Sequence, residues 1–154
     1  MTPISLELPG GAVPFERLVL DFTGTLSRDG ELLPGVAERL RGLASQLRVI
    51  VLTADTFGKA RRALEGLPVE VQIIRDGSHK ANVFSELGPE TAIAMGNGRN
   101  DVPMIRMARV GIAVIGPEGA AGELIAIADV VTTNIQDALD LVSNPLRLKA
   151  TLRD

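Results

Sequence analysis

A chain of 154 residues, 45% apolar and only 3% aromatic, suffices for one domain whose core must be packed by Val, Leu, Ile and Ala. Its net charge of −3 offers no basic field for nucleic acid or an anionic membrane surface. With no cysteine and His79 as the one histidine, it holds no disulfide, thiolate centre or His-rich zinc cluster.

Residues 4–8 alternate apolar and polar, which predicts an edge strand, and Pro9-Gly10-Gly11 separates it from the first core strand. Further strands are expected near 17–21, 48–52, 70–74, 91–95 and 110–114, with a short one near 129–132. Helical patterns fall at 34–46, 57–65, 79–87, 101–108, 119–127, 134–142 and 145–151. This alternation predicts an α/β fold of three layers, helices covering both faces of a mainly parallel sheet. Arg28-Asp29-Gly30 is a hairpin signal and predicts a small flap over residues 26–33. No signal-like segment and no apolar run of eighteen residues is present, so a soluble cytoplasmic protein of one domain over 1–154 is expected.

Four stretches carry candidate chemistry. Asp21-Phe22-Thr23-Gly24-Thr25-Leu26 follows the apolar run Leu18-Val19-Leu20. A carboxylate at the carboxyl end of a buried strand stands where open α/β sheets place ligands, and Asp can carry a phosphoryl group covalently. Alone, the same residues also fit a turn organised by the Asp side chain. Thr53 ends a second strand and offers a hydroxyl to a phosphate oxygen, while Asp55 and Thr56 read as helix caps.

Lys80 is one of only three lysines and falls at a helix start, where the dipole disfavours a cation. An ammonium that neutralises both a carboxylate and a bound phosphate is one reason for it, and a solvated surface lysine is the other. His79 reads as a surface residue of that helix start. The fourth stretch runs from Gly96 to Met104, with Asn97, Asn100 and Asp101 on a two-glycine loop, Asn100 being the expected helix cap. Oxygen ligands there, facing Asp21, suit Mg²⁺.

In this order the four stretches resemble the haloacid dehalogenase superfamily of phosphotransferases. The first is similar to the phosphorylation motif of P-type ATPases, with Phe22 where Lys is usual. The loop Gly96-Asn97-Gly98-Arg99-Asn100-Asp101-Val102-Pro103-Met104 is similar to their hinge motif, with Asn97 where Asp is usual. The soluble P-type-ATPase-like phosphatases are the group it resembles most. The likeness implies a covalent aspartyl-phosphate on Asp21, phosphate held by Thr53, Ala54 and Lys80, and Mg²⁺ dependence. Asp21, the Thr23 carbonyl and the Asn97 side-chain oxygen are the implied metal ligands, with Asp101 holding a metal-bound water or orienting Lys80.

Asp21 and Thr53 lie 32 positions apart and Thr53 and Lys80 27 apart, which leaves no room for a cap or a nucleotide-binding domain. A missing membrane domain separates the chain from true pumps, and it reads as a complete domain rather than a pump fragment. Thr23 occupies the position of the general acid/base of most phosphatases of this superfamily, and that help is typically worth about 10²–10⁴-fold. A slow Mg²⁺-dependent phosphatase is therefore expected. Its substrate would be a phosphorylated small molecule or macromolecule, with a homo-oligomer as one way to cover the open site. The alternative is a non-hydrolytic regulatory protein that keeps the phosphorylation pocket. Arg28 and Arg99 are candidate substrate contacts, although a solvated arginine fits each as well.

Overall fold

A computed structural model describes residues 4–153. The first element is β1 (Ile4–Leu8), whose buried and exposed residues alternate as expected. It does not join the edge of the main sheet. It pairs antiparallel with a strand the sequence reading missed, β2 (Gly11–Phe15), with Leu8 opposite Gly11 and Leu6 opposite Val13. Pro9-Gly10 is thus the turn of a hairpin. Two glycines and Pro14 masked β2, but an isolated two-stranded ribbon tolerates a proline that a central strand excludes.

The main sheet holds six strands, all parallel. They are β3 (Arg17–Asp21), β6 (Arg48–Thr53), β7 (Glu70–Ile73), β8 (Ala92–Gly96), β9 (Val110–Val114) and β10 (Val130–Thr132). Every core strand predicted from the apolar runs is present. Between β3 and β6 the short strands β4 (Ser27–Arg28) and β5 (Glu31–Leu32) form the predicted flap. Asp29 and Gly30 at its tip both have positive φ, 51° and 87°, as a tight two-residue hairpin turn requires.

Side chains on successive strand residues part to opposite faces. Leu18 and Leu20 of β3 join one apolar cluster and Val19 joins the other. The first cluster is closed by α1 (Val36–Leu43), α6 (Ile135–Ser143), α7 (Pro145–Leu152) and the buried face of the hairpin. The second is closed by α3 (Gly77–Ser85), α4 (Val102–Met107) and α5 (Gly122–Ile127). The remaining helix, α2 (Lys59–Ala63), follows β6. These are the three layers expected, with several helices shorter than the patterns implied. Residues 119–121, read as the start of a helix, form a turn in which Gly119 has φ 73° and Ala121 N–H donates to the Asn97 carbonyl at 2.8 Å.

Sheet order decides where ligands go. The order is β10-β9-β8-β3-β6-β7, so the chain winds outward from β3 to β7, then returns across it to β8 and winds the other way. The crevice at such a reversal opens beyond the carboxyl ends of β3 and β8. Asp21 ends β3, and Asn97 directly follows β8. No cap interrupts the core: only the flap and α1 lie between β3 and β6, and only α2 and β7 between β6 and α3.

Candidate active site

Asp21, Thr23, Thr53, Ala54, Lys80 and Asn97 line one open cleft of about 340 Å³. The structure therefore brings together six of the seven residues proposed from sequence, and the seventh, Asp101, lies against Lys80 and is fully buried. Asp21 arrives because β3 is apolar on both faces up to its last residue. Thr53 ends the neighbouring β6 in the same way, with a buried hydroxyl 3.3 Å from the Asp55 N–H that donates to it.

The N-cap of α2 is Gly58 rather than Asp55 or Thr56, but Asp55 still serves the helix start from three residues before that glycine. Its carboxylate accepts from Ala60 N–H at 2.7 Å and Arg61 N–H at 3.2 Å, the free donors of the first turn of α2. Its φ of 44°, unusual outside glycine, turns the chain there. Asp76 caps α3 by accepting from His79 N–H at 2.8 Å, and the His79 ring accepts from Arg75 N–H at 2.9 Å. His79 thus serves the helix start, as predicted, and α3 delivers Lys80 into the cleft from its first turn.

Lys80 is no surface lysine: it is 1% exposed, and its ammonium donates to Asp21 Oδ1 at 2.8 Å and to Asp101 Oδ1. The other Asp101 oxygen accepts from the N–H groups of Asn97 and Gly98, each at 3.1 Å. Asn100 is not the cap expected: α4 begins at Val102 after a single 3₁₀ turn over Arg99–Asp101, Asp101 stands at its N-cap position without a side-chain cap bond, and its carboxylate serves the N–H groups of the preceding loop instead. A side chain at Gly96 would collide with the Asp101 carboxylate, its Cβ falling 2.5 Å from Oδ2. The glycine is what lets Asp101 fold back under the loop.

The three charges carry a net −1 in a nearly water-free space. Burial first, and the neighbouring Asp101 second, push the Asp21 carboxyl up from 3.8 to about 6, against the pull of Lys80 and Thr25. Burial pulls Lys80 down, but the two carboxylates outweigh it and hold the ammonium above its ordinary value. Lys80 is thus a fixed cation, whereas Asp21 is a carboxylate whose charge is strained.

Two residues were not singled out from sequence. Thr25, fully buried, lies 2.9 Å from Asp21 Oδ2 and 3.2 Å from Asn97 Oδ1, so its hydroxyl ties the nucleophile strand to the hinge loop. Its place inside the Asp21 motif was the available signal. Glu118 also lines the cleft, but nothing in Gly116-Pro117-Glu118-Gly119 beyond a turn pattern announced it.

The oxygen set fits a hard divalent cation. The Asp21 carboxylate and Asn97 Oδ1 both accept from the Thr25 hydroxyl, and Thr23 lines the same cleft. Among the described residues no three His, Cys, Asp or Glu side chains converge as a metal cage.

Residues 48–140 match the family of haloacid dehalogenase-like hydrolases. The chain belongs to that family. An uncharacterized protein of Methanocaldococcus jannaschii is 47% identical over 79 residues, which are 49% of this chain and 85% of that protein. Among solved structures, the 3-deoxy-D-manno-octulosonate 8-phosphate phosphatase of Moraxella catarrhalis, in complex with magnesium, phosphate and the sugar acid, superposes with a TM-score of 0.71. It is 17% identical, and the match covers 88% of this chain and 90% of that one. A zinc-transporting PIB-type ATPase in its E2·Pi state matches with a TM-score of 0.63 at 24% identity, over 78% of this chain but only 20% of the pump. Both likenesses are of fold.

A second depression of about 290 Å³ adjoins the hydrolase's cleft, sharing Thr23, Thr53, Ala54 and Glu118 with it, and is walled by Phe22, the flap tip and the exposed Phe57. Arg28 faces away, into a different groove beside Pro117 and Gln136. Arg99 is 84% exposed and 3.7 Å from Glu123, a solvated pair worth little. Neither arginine is a built substrate contact. Among the described residues no helix is long and apolar enough to cross a membrane.

Proposed function

We propose that this hydrolase is a capless, Mg²⁺-dependent phosphatase that acts through an aspartyl-phosphate on Asp21. The observation that carries the reading is the buried Asp21–Lys80–Asp101 triad at the reversal point of the sheet. A buried ammonium shared by two carboxylates orients the nucleophile and stays charged for an incoming phosphate. In the reaction an Asp21 oxygen attacks phosphorus in line, the ester P–O bond breaks, and the leaving oxygen takes a proton from water. A second water then attacks the aspartyl-phosphate and releases inorganic phosphate.

Thr53 donates its hydroxyl to a phosphate oxygen, the Ala54 backbone faces the same oxygens, and Lys80 neutralises a third. Asp101 holds Lys80 in place, its other oxygen being engaged by the loop. Mg²⁺, held by Asp21, the Thr23 carbonyl and Asn97 Oδ1, would offset the repulsion between carboxylate and phosphate. The fold likeness to a zinc pump supports grouping the hydrolase with soluble P-type-ATPase-like phosphatases. The substrate is a phosphate monoester whose leaving group fits the depression beside Phe57.

Release of phosphate from a panel of phosphorylated metabolites and phosphopeptides, with and without Mg²⁺, tests the reading directly. No release from any of them, together with no covalent phosphate on Asp21, overturns it. Thr23 adds a kinetic signature, since a hydroxyl cannot serve as base near neutral pH. Breakdown of the aspartyl-phosphate is expected to be slower than its formation, giving a burst in single-turnover experiments. Thr23→Asp should abolish the burst by speeding breakdown roughly 10²-fold or more. A variant that traps more intermediate would remove Thr23 from the acid/base position. A burst with no turnover in the wild type would instead mark the phosphoenzyme as a switch.

Asn97→Asp should tighten Mg²⁺ binding about tenfold or more by adding a unit charge beside Asp21. It also exchanges the Nδ2 donor, now 3.3 Å from the Gly119 carbonyl, for a repelling oxygen. Without metal the variant is expected to lose about 1 kcal/mol of stability. Titration calorimetry and denaturation in chelator read the two effects separately, and unchanged affinity would place Asn97 outside the cation site.

A further inference from the structure

The phosphatase reading leaves the cation site short of charge, because Asp21 and Asp101 share one ammonium and Asn97 is neutral. We propose that Glu118 supplies the missing carboxylate, reaching from the β9–α5 turn to complete the cation site that Asn97 leaves uncharged. The proposal rests on the cation site described above, and it concerns the residue rather than the reaction.

The placement is specific. Gly24, at φ 75°, lies beneath both side chains: a Cβ there would stand 2.7 Å from Asn97 Nδ2 and 3.0 Å from Glu118 Oε2. The absence of that atom is what lets the amide and the carboxylate converge over the Asp21 loop. The turn bearing Glu118 is fastened at several points. Gly119 N–H donates to the Gly116 carbonyl at 2.9 Å, Gly119 O accepts from Asn97 Nδ2, and Ala121 N–H donates to the Asn97 carbonyl. Gly116 in turn packs directly on the Gly24 carbonyl, too close for any larger residue. A surface loop needs none of these ties to the hinge motif, and together they fix the base of Glu118 against the site.

Charge argues in the same direction. Glu118 forms no salt bridge among the described residues, although Arg75 lines the same cleft. An exposed carboxylate packed beside a buried net −1 is electrostatically unfavourable in the metal-free chain. A dication held there would attract both carboxylates and outweigh their mutual repulsion. The usual acidic side chain has thus moved from the hinge loop to the turn that the hinge loop holds.

The test uses Mn²⁺ alone, with no substrate, and follows free Mn²⁺ by electron paramagnetic resonance at fixed ionic strength. Glu118→Gln, which keeps shape and removes charge, is expected to weaken Mn²⁺ binding roughly tenfold. Glu65→Gln, on a distant exposed turn, should leave affinity unchanged. Asn97→Asp placed in the Glu118→Gln background should restore affinity to near the wild-type value, since the two positions then exchange one charge. Equal affinities in wild type and Glu118→Gln overturn the proposal while leaving the phosphatase reading intact. Absence of Mn²⁺ binding in the wild type overturns the cation site itself. A fall in phosphate release with Mn²⁺ affinity unchanged would assign Glu118 to proton transfer instead and likewise sink the proposal.

Discussion

Replacing Asp21 by Asn should eliminate turnover and covalent phosphate while making the metal-free fold more stable. The loss of activity is expected to be about 10⁴-fold or more, because an amide cannot form the aspartyl-phosphate on which both half-reactions depend. The gain in stability follows from the strain on the carboxylate. Asp21 titrates near 6 instead of 3.8, so between these values the folded chain binds more protons than the unfolded one. Stability therefore falls as pH rises through that window. An amide is neutral throughout, so the advantage of the variant is absent below pH 3.8, grows to pH 6 and is complete above it. Two units of separation correspond to roughly 2–3 kcal/mol. Urea denaturation in chelator at pH 4 and pH 8 measures it, and equal stabilities at pH 8 would show that the buried carboxylate is not strained.

Removal of Lys80 acts in the opposite direction and with larger effect. Lys80→Met leaves Asp21 and Asp101 buried without a cation, and breaking a buried pair by deleting one partner typically costs about 3–5 kcal/mol. The damage should be greatest at alkaline pH and shrink towards pH 5, where one carboxyl can take a proton and lose its charge. Adding Asp101→Asn to the Lys80→Met background should recover part of the loss, since the remaining carboxylate then faces an amide. If Lys80→Met unfolds with the same midpoint as the wild type at pH 8, the ammonium is not the counter-charge on which the site depends.

The site was legible because each of its main residues sits at a strand end or a helix start, where local sequence carries strong signals. Asp21 and Thr53 close apolar runs, and Lys80 contradicts the helix dipole until its two carboxylate partners are seen. The six strands were legible for the same reason, being buried on both faces and therefore continuous in hydrophobicity. What failed was structure whose reason lies in tertiary partners. Strand β2 starts with a glycine and carries a proline, and it is a strand only because β1 stands opposite it. Asn100 has the chemistry of a cap, yet Asp101 holds the N-cap position of α4, and its carboxylate folds back to the Asn97 and Gly98 N–H groups because Gly96 leaves space for it. Thr25 and Glu118 gain meaning only from Asn97, which lies far along the chain from the first and on a different loop from the second.

The reversal of strand order also governs how the chain can assemble. Central β3 has β6 on one side, available once residue 53 has been made, and β8 on the other, which waits until residue 96. Until then β3 is an apolar edge with open backbone donors and acceptors, the kind of surface that recruits strands from other molecules. Nascent chains ending between β7 and β8 are therefore expected to aggregate most readily, which pulse-labelled translation arrested at those lengths would test. α3, which carries Lys80, is the crossover from β7 to β8, so the segment that leads to the strand closing this edge is also the one that places the ammonium against Asp21.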